Sequence, residues 1–376
     1  MLASVVVLAL KLAAALAILY TLAAAWLIGR WRTPAPPTML DAPSVSILKA
    51  LCGNEPHLAE NLRTFVQQDY PRAIQIVCGV ASSSDPAIAA ASQIPGCELV
   101  IGRGTAGGNA KVANLATIAA RTRHELLVAS DSDIAVDRTY LARIAAAMAA
   151  PGVGAVTCLY AGRGDAGWWS RLCASGISYQ FLPSVIVGLA IGRGEPCMGS
   201  TIALSRETLD AIGGFARFAD VLADDHALGA AVRQLGLTVA VPPMIVTHGC
   251  SEDSLAALVR HELRWAATIR RLDPAGHAGS VVTHPLPLAA LAAVLGGGPT
   301  ALALCVAAAG ARAALKLRVD AVVGRRTAPL WLLPFRDLLS FVVFLASFPV
   351  RSVKWRSSRL DLENDGRILA VAEASR

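Results

Sequence analysis

Glu125-Leu126-Leu127-Val128-Ala129-Ser130-Asp131-Ser132-Asp133 is the stretch on which the reading of this chain turns. The short apolar run reads as a buried strand, and Asp137-Arg138-Thr139 just beyond it reads as the cap of the next helix. Asp131 and Asp133 stand two residues apart, just past the carboxyl end of that strand. This suits a divalent cation carrying phosphates, because Mg²⁺ or Mn²⁺ is held by one or two carboxylates plus substrate oxygens. The carboxyl ends of parallel strands are also where open α/β sheets bind ligands. The same tetrapeptide equally suits a turn in which Asp131 and Ser132 satisfy local backbone donors.

Working outward, residues 44–250 read as one α/β domain. Strands are expected at Val45–Leu48, Ile74–Val80, Leu99–Ile101 and Leu126–Ala129, with helices at His57–Gln68, from Pro86 to Ala91 and at Ala110–Ala120. Strands alternating with helices at this spacing indicate a parallel sheet covered on both faces. Val153–Tyr160 and Thr201–Leu204 read as further strands around an apolar, aromatic-containing insert, Trp168 to Ala190.

The flanks are of another kind. The chain has 376 residues, 55% hydrophobic and 16% charged, with a mean hydropathy of +0.52. Soluble domains average ~25% charged residues, so the apolar excess belongs in membrane segments. Residues 1–29 read as a transmembrane helix, since Leu12 to Gly29 is uncharged and long enough to span. Arg30 and Arg32 follow it, which places the N-terminus outside and the next domain in the cytoplasm. Residues 30–43, with four prolines, read as a linker. Residues 251–282 form an amphipathic interface region in which His261, Arg264 and Trp265 share one side of a helix. Residues 283–350 read as membrane segments, interrupted at Gly296-Gly297-Gly298-Pro299 by a kink or a hairpin. Arg336-Asp337 inside that region is either interfacial or paired within a bundle. Residues 351–376 read as a basic cytoplasmic tail.

The net charge of +7 gathers beside apolar segments, which suits a membrane surface; no arginine stripe interleaved with aromatics points to nucleic acid. The eight cysteines contain no CxxC pair and read as small buried residues of a reduced compartment. His226, His248 and His261 lack zinc-ligand spacing. Gly102 to Lys111 resembles a phosphate-cradling loop but lacks Walker spacing. Asp224-Asp225 opens a helix, where it serves either as an N-terminal cap or as a general base for an attacking hydroxyl.

In order along the chain stand Ser46-Ile47-Leu48-Lys49-Ala50-Leu51-Cys52-Gly53-Asn54-Glu55-Pro56, Gly108-Asn109-Ala110-Lys111-Val112-Ala113-Asn114-Leu115, Ser130-Asp131-Ser132-Asp133, Gly199-Ser200-Thr201, Ala223-Asp224-Asp225-His226 and Arg260-His261-Glu262-Leu263-Arg264-Trp265. Together they resemble the membrane-bound inverting glycosyltransferases of the ceramide-glucosyltransferase type. Ala275 to Pro285 is similar to the hopanoid-biosynthesis-associated members of that group.

The resemblance implies a GT-A, Rossmann-like catalytic domain with an N-terminal transmembrane helix and C-terminal membrane helices. It implies a UDP-sugar donor, Mg²⁺ or Mn²⁺, and a lipid acceptor, either hopanoid or sphingolipid, with no nucleic-acid partner. Asp133 and Asp131 become metal and diphosphate residues, and Asp225 the catalytic base. Lys49, Glu55, Lys111, His261, Arg264 and Trp265 fall on the donor side, and Gly199, Ser200 and Asp224 on the acceptor side. Ser82 stands where the family has an aspartate for the nucleoside, with Asp85 nearby. The expected location is a bacterial inner membrane, multi-pass, with the catalytic domain facing the cytoplasm. The expected reaction is transfer of N-acetylglucosamine or glucose to a hopanoid hydroxyl. The rivals are a ceramide glucosyltransferase and an inactive lipid-binding scaffold on the same fold. A processive polysaccharide synthase would need more spans.

Overall fold

The computed structural model describes residues 2–37, 41–102, 108–350, 352–355, 358–362 and 368–370. The chain enters through α1 (Leu2–Arg30), whose outward residues Leu8, Leu12, Leu16 and Leu19 are exposed while Ala14, Ala17 and Ala24 pack inward. Small residues on the packed face let neighbouring helix backbones approach closely.

The α/β part then alternates β1 (Val45–Ala50), α2 (Leu58–Val66), β2 (Ile74–Val80), α3 (Ala87–Ala91), β3 (Cys97–Ile101), α4 (Ala110–Ala119) and β4 (Leu126–Ala129). These four strands are parallel neighbours in the order β3-β2-β1-β4, with Val45 opposite both Ile74 and Leu126. β1 and β4 are buried almost throughout, as strands covered on both faces must be. At Gly79 the sheet and α4 meet so closely that a Cβ would lie 2.1 Å from Asn114 Oδ1; Asn114 Nδ2 donates instead to the Gly79 carbonyl at 2.7 Å.

After the Asp131–Asp133 turn come β5 (Ile134–Ala135), α5 (Tyr140–Met148), β6 (Val153–Thr157) and β7 (Leu159–Gly164). The expected single strand Val153–Tyr160 is thus two. β6 stays in the main sheet and β7 leaves it, the break falling at Cys158.

The insert is one apolar helical segment, α6 (Trp168–Gly176) running through a wide turn at Ile177–Phe181 into α7 (Leu182–Ala190). β8 (Ile202–Ser205) returns from it antiparallel between β4 and β6, so the seven-stranded sheet is mixed rather than wholly parallel. α8 (Arg206–Ala211), α9 (Asp224–Gln234), β9 (Thr238–Ala240) and β10 (Ile245–Cys250) follow. β10 forms a small second sheet with β5 and β7.

α10 (Leu255–Leu272) is capped by Ser254, whose Oγ accepts from Ala257 N at 3.2 Å. Leu258 and Ala267 are its buried positions, whereas Leu255 and Ile269 are exposed. α11 (Pro274–Gly279), α12 (Pro285–Val294), α13 (Gly298–Val323) and α14 (Leu333–Ser347) complete the helices. The glycine run is a turn between α12 and α13, which pack on each other; α13, at 26 residues, runs on well past the short second arm a hairpin there would have. Arg312 and Lys316 lie inside α13 and are buried.

Arg336 and Asp337 pair across the bundle and not with each other. Arg312 donates to Asp337 at 2.7 Å, and Arg336 pairs with Glu262 of α10. Each buried charge therefore meets an opposite one.

Among the described residues, four helical segments are long and apolar enough to cross a membrane: Leu2–Arg30, Trp168–Ala190, Gly298–Val323 and Leu330–Ser347. The second was read from the sequence only as an apolar, aromatic-containing insert. Where a basic tail was expected, Ser352–Trp355, Ser358–Leu362 and Ile368–Ala370 form an antiparallel sheet; the rest of that tail lies outside the described residues.

Candidate active site

The site is built on the turn after β4, and that turn is held from below. Lys49 of β1 is fully buried. Its Nζ donates to Ser130 Oγ at 3.1 Å and to the Asp131 carbonyl at 2.8 Å, and sits 3.4 Å from the centre of the Phe65 ring. Burial pulls its ammonium down to about 7, against the carboxylates of Asp131 and Asp133, which favour the charge. Lys49 therefore braces the turn from beneath and does not face the cleft. On the far side, Ile134 pairs with His248 of β10, and Gly249 N donates to the Asp133 carbonyl at 2.8 Å.

Above the turn, four groups converge from three further elements. Lys111, in the first turn of α4, pairs with Asp131 at 2.6 Å and lies 3.8 Å from Asp224. Asn109 caps α4 by accepting from Lys111 N and Val112 N. Its amide donates to Asp224 Oδ1 at 3.1 Å, tying the start of α4 to the start of α9.

Asp225 Oδ2 accepts from Gly199 N at 3.0 Å and Asp225 Oδ1 from His226 N at 2.7 Å. A Cβ on Gly199 would lie 2.9 Å from Lys111 Nζ, 3.3 Å from Asp131 Oδ2 and 3.5 Å from Asp225 Oδ2. The glycine thus leaves open the space these three groups share.

The electrostatics are those of crowded acids. Burial raises Asp224 to about 6, with Lys111 working against it and Asp225 and Asp131 adding to it. Burial likewise raises Asp225, and Lys111 opposes it. Lys111 is held above its ordinary value: burial works against its charge, but Asp131 and Asp224 outweigh that. Lys111 faces three carboxylates, two of which, Asp224 and Asp225, also act on Arg264, so acids outnumber bases around the cleft.

Asp133 supplies the place for a cation. Its Oδ1 is buried without a hydrogen-bond partner, and its Oδ2 lies 3.4 Å from His248 Nε2. An orphaned buried carboxylate oxygen and a second acid two residues away fit Mg²⁺ or Mn²⁺; burial works against the charge of the neighbouring His248, but Asp133 and the other acids around it hold its pKa above the ordinary value. His248 was passed over in the sequence because it has no histidine partner at ligand spacing. The signal lay in its strand, since β10 pairs with the residue right after Asp133.

His248 stacks on Tyr160 at 5.3 Å between ring centres and meets Trp265 edge-on at 6.4 Å. Trp265 in turn packs edge-on against His261 at 4.3 Å. Arg264, one residue before, is pulled below its ordinary value by burial, while Asp225, Asp224 and Glu252 favour its charge. His261 turns towards Glu252 and Cys173. Burial lowers its pKa, but hydrogen bonds to those two raise it to about 9.

Other expected residues sit elsewhere. Ser200 is buried and donates to the Cys158 carbonyl at 3.1 Å, so of its motif only Gly199 borders the cleft. Asp85 Oδ1 accepts from Gly53 N and Ala87 N, both at 2.9 Å, and so joins the loop after β1 to the start of α3. Ser82 is exposed and bonded to Ser84 at 2.8 Å. Glu55 acts on Lys49 by its charge. His226 is exposed, and residues 103–107 of the glycine-rich loop lie outside the described residues.

Residues 6–368 match the model of glycosyl transferase family 21. The chain is similar to the mannosyltransferase from Pyrobaculum calidifontis solved with GDP-Man and Mn²⁺, at 22% identity and a TM-score of 0.52 over 92% of this chain and 99% of that one. It is also matched, at 15% identity and a TM-score of 0.41 over 61% of this chain and 79% of the other, by glucosyl-3-phosphoglycerate synthase from Mycobacterium tuberculosis in complex with Mn²⁺, UDP and glucosyl-3-phosphoglycerate. The first likeness and the mixed sheet identify the fold as GT-A. The chain belongs to glycosyl transferase family 21 and is a glycosyltransferase.

Proposed function

We propose that this family 21 glycosyltransferase moves N-acetylglucosamine or glucose from a UDP-sugar to a hydroxyl of a membrane lipid, a hopanoid, with inversion at the sugar carbon. The observation that carries this reading is the cleft around Gly199, where Asp131, Asp225 and Lys111 converge within 3.5 Å of one point, in a chain whose described residues include four helical segments long and apolar enough to span a membrane.

Asp133 and Asp131, with His248 beside them, are the residues that would hold Mg²⁺ or Mn²⁺. When bound, the ion supplies Lewis-acid stabilisation of charge on a departing diphosphate. Lys111 and Arg264 add fixed positive charge on that side. Asp225 takes the proton of the acceptor hydroxyl. Its raised pKa makes it a stronger base than an exposed carboxylate, and the Gly199 N–H and the His226 N–H fix its orientation. Asp224, bonded to Asn109, holds the neighbouring acid in place and borders the acceptor side. Trp265 packs beside the donor. Ser82 leaves the nucleoside to be held by hydroxyl and backbone groups rather than by a carboxylate.

Arg30 and Arg32 after α1 favour a cytoplasmic catalytic domain, at the inner membrane of a bacterium. Family membership also favours ceramide as the acceptor, since the matched family is of the ceramide-glucosyltransferase type. Purified protein in detergent, incubated with UDP-GlcNAc or UDP-Glc, Mn²⁺ and either lipid, separates these readings by product mass. Glycosylated hopanoid supports the proposal, and glucosylceramide alone transfers it to the sphingolipid. No UDP release with any acceptor leaves the scaffold reading.

A further inference from the structure

A second group of metal-ligating side chains lies behind His248 and Trp265, and it draws in His261, which the sequence had placed on the donor side. Cys173 comes from α6, Cys250 ends β10, and Glu252 follows in the loop to α10. Their ligand atoms all lie within 4.8 Å of one another. His261 of α10 joins them, with Nδ1 bonded to Glu252 Oε1 and the ring close to the Cys173 thiol. Cys173 and Cys250 are each 2% exposed and Glu252 is 8% exposed.

Both cysteines are free thiols. Glu252 Oε2 is buried with no hydrogen-bond partner. A buried carboxylate oxygen without a partner is costly, and His261 answers only the other oxygen, Oε1. Two thiols, an imidazole and a carboxylate from three separate stretches of chain form a soft, mixed donor set. That set differs from the oxygen-rich one around Asp133 and is the kind that selects zinc.

We propose that Cys173, Cys250, Glu252 and His261 bind a divalent cation of the zinc class in a closed, four-coordinate structural site. On binding, the two thiols lose their protons to solvent, as does the His261–Glu252 hydrogen bond, and four ligand bonds replace them. Zinc–ligand lengths of about 2.0–2.3 Å require the ligand atoms to draw in by roughly an ångström from their present spacing. The ion joins α6, β10 and α10. It thereby fixes the helix that carries Arg264 and Trp265 against the strand that carries His248. The two groups of residues meet at Cys250 Sγ, 3.9 Å from His248 Nδ1, and at His261, whose ring packs edge-on against Trp265 at 4.3 Å. A Cys173–Cys250 disulfide would join the same elements but would leave Glu252 Oε2 without a partner.

The test is the metal content of the full chain, purified in detergent with reductant and metal-free buffers. Stoichiometric zinc is expected in the wild type and in Asp133→Ala, with a loss of at least about tenfold in Cys173→Ser/Cys250→Ser. Because that double variant could fail to fold, X-ray absorption at the zinc edge of the wild type is the second measurement, with sulfur expected at about 2.3 Å. Wild-type protein without zinc, zinc without sulfur neighbours, or a two-hydrogen mass loss reporting a disulfide each overturns the proposal.

Discussion

The backbone N–H of Gly199 donates to Asp225 Oδ2 at 3.0 Å, and the face of Gly199 where a side chain would stand is taken up by Lys111 Nζ, 2.9 Å from that point. One residue thus orients the candidate base and makes room for the lysine that pairs with Asp131. Gly199→Ala should push the lysine aside with little effect on folding, since the lysine end is flexible. A displacement of this size costs about 100-fold in turnover. Steady-state rates with an unchanged thermal midpoint check this, and wild-type turnover would remove Gly199 from the site.

Asp225→Asn should lower kcat by about 10²–10⁴-fold while leaving donor binding intact, because an amide cannot take the acceptor proton. The raised pKa of Asp225 also fixes the sign of the pH profile. The base works when ionised, so the rate falls as pH drops through a value above the ordinary carboxylate range of about 4. An acid limb at or below that range would argue for another base.

His248→Ala should raise the Mn²⁺ concentration needed for half-maximal donor binding by about 10- to 100-fold, since its ring lies 3.4 Å from Asp133. Titration of Mn²⁺ with a fluorescent UDP-sugar reads this directly. Asp133→Ala should abolish metal-dependent donor binding, and an unchanged isotherm in both variants would disprove the metal assignment.

Lys49 offers a stability test. Its ammonium titrates at about 7 in the folded chain, below its unfolded value of about 10.4. Between those values the unfolded chain binds more protons, so stability rises with pH, by an amount on the order of a few kcal/mol. The thermal midpoint in detergent should therefore climb from pH 7 to pH 9 in the wild type and climb less in Lys49→Met. Equal slopes would show that Lys49 is not the group responsible.

Asp337→Ala should strand the guanidinium of Arg312 inside the helix bundle, where both partners are at most 4% exposed. Removing one partner of a buried pair costs about 3–5 kcal/mol. Arg312→Met/Asp337→Leu should recover most of the loss. Thermal midpoints of the three proteins decide it, and a double variant no better than the single would mean the pair matters for more than charge.

What the chain reveals about itself in one dimension is what depends on near neighbours. Strand period, helix caps, apolar runs and the Asp131–Asp133 turn are local patterns. They placed the strands from Val45 to Ala129, the helix behind Arg264 and the first membrane helix. Lys111, Asp225 and Gly199 were legible through motif order, but their convergence was not. Lys49 is buried beneath the Asp131–Asp133 turn, and Ser200, in the turn before β8, bonds to the Cys158 carbonyl, because a side chain's direction depends on what packs around its stretch of chain. The fate of the charges at Arg312, Arg336 and Asp337 was equally hidden, since each partner lies on a different helix. His248 met Asp133, and Cys173 met Cys250, only through the pairing of β10 with β5 and its packing on α6. Sequence spacing carries no signal for such contacts, because the distance between two residues from separate elements is set by how their sheets and helices stack.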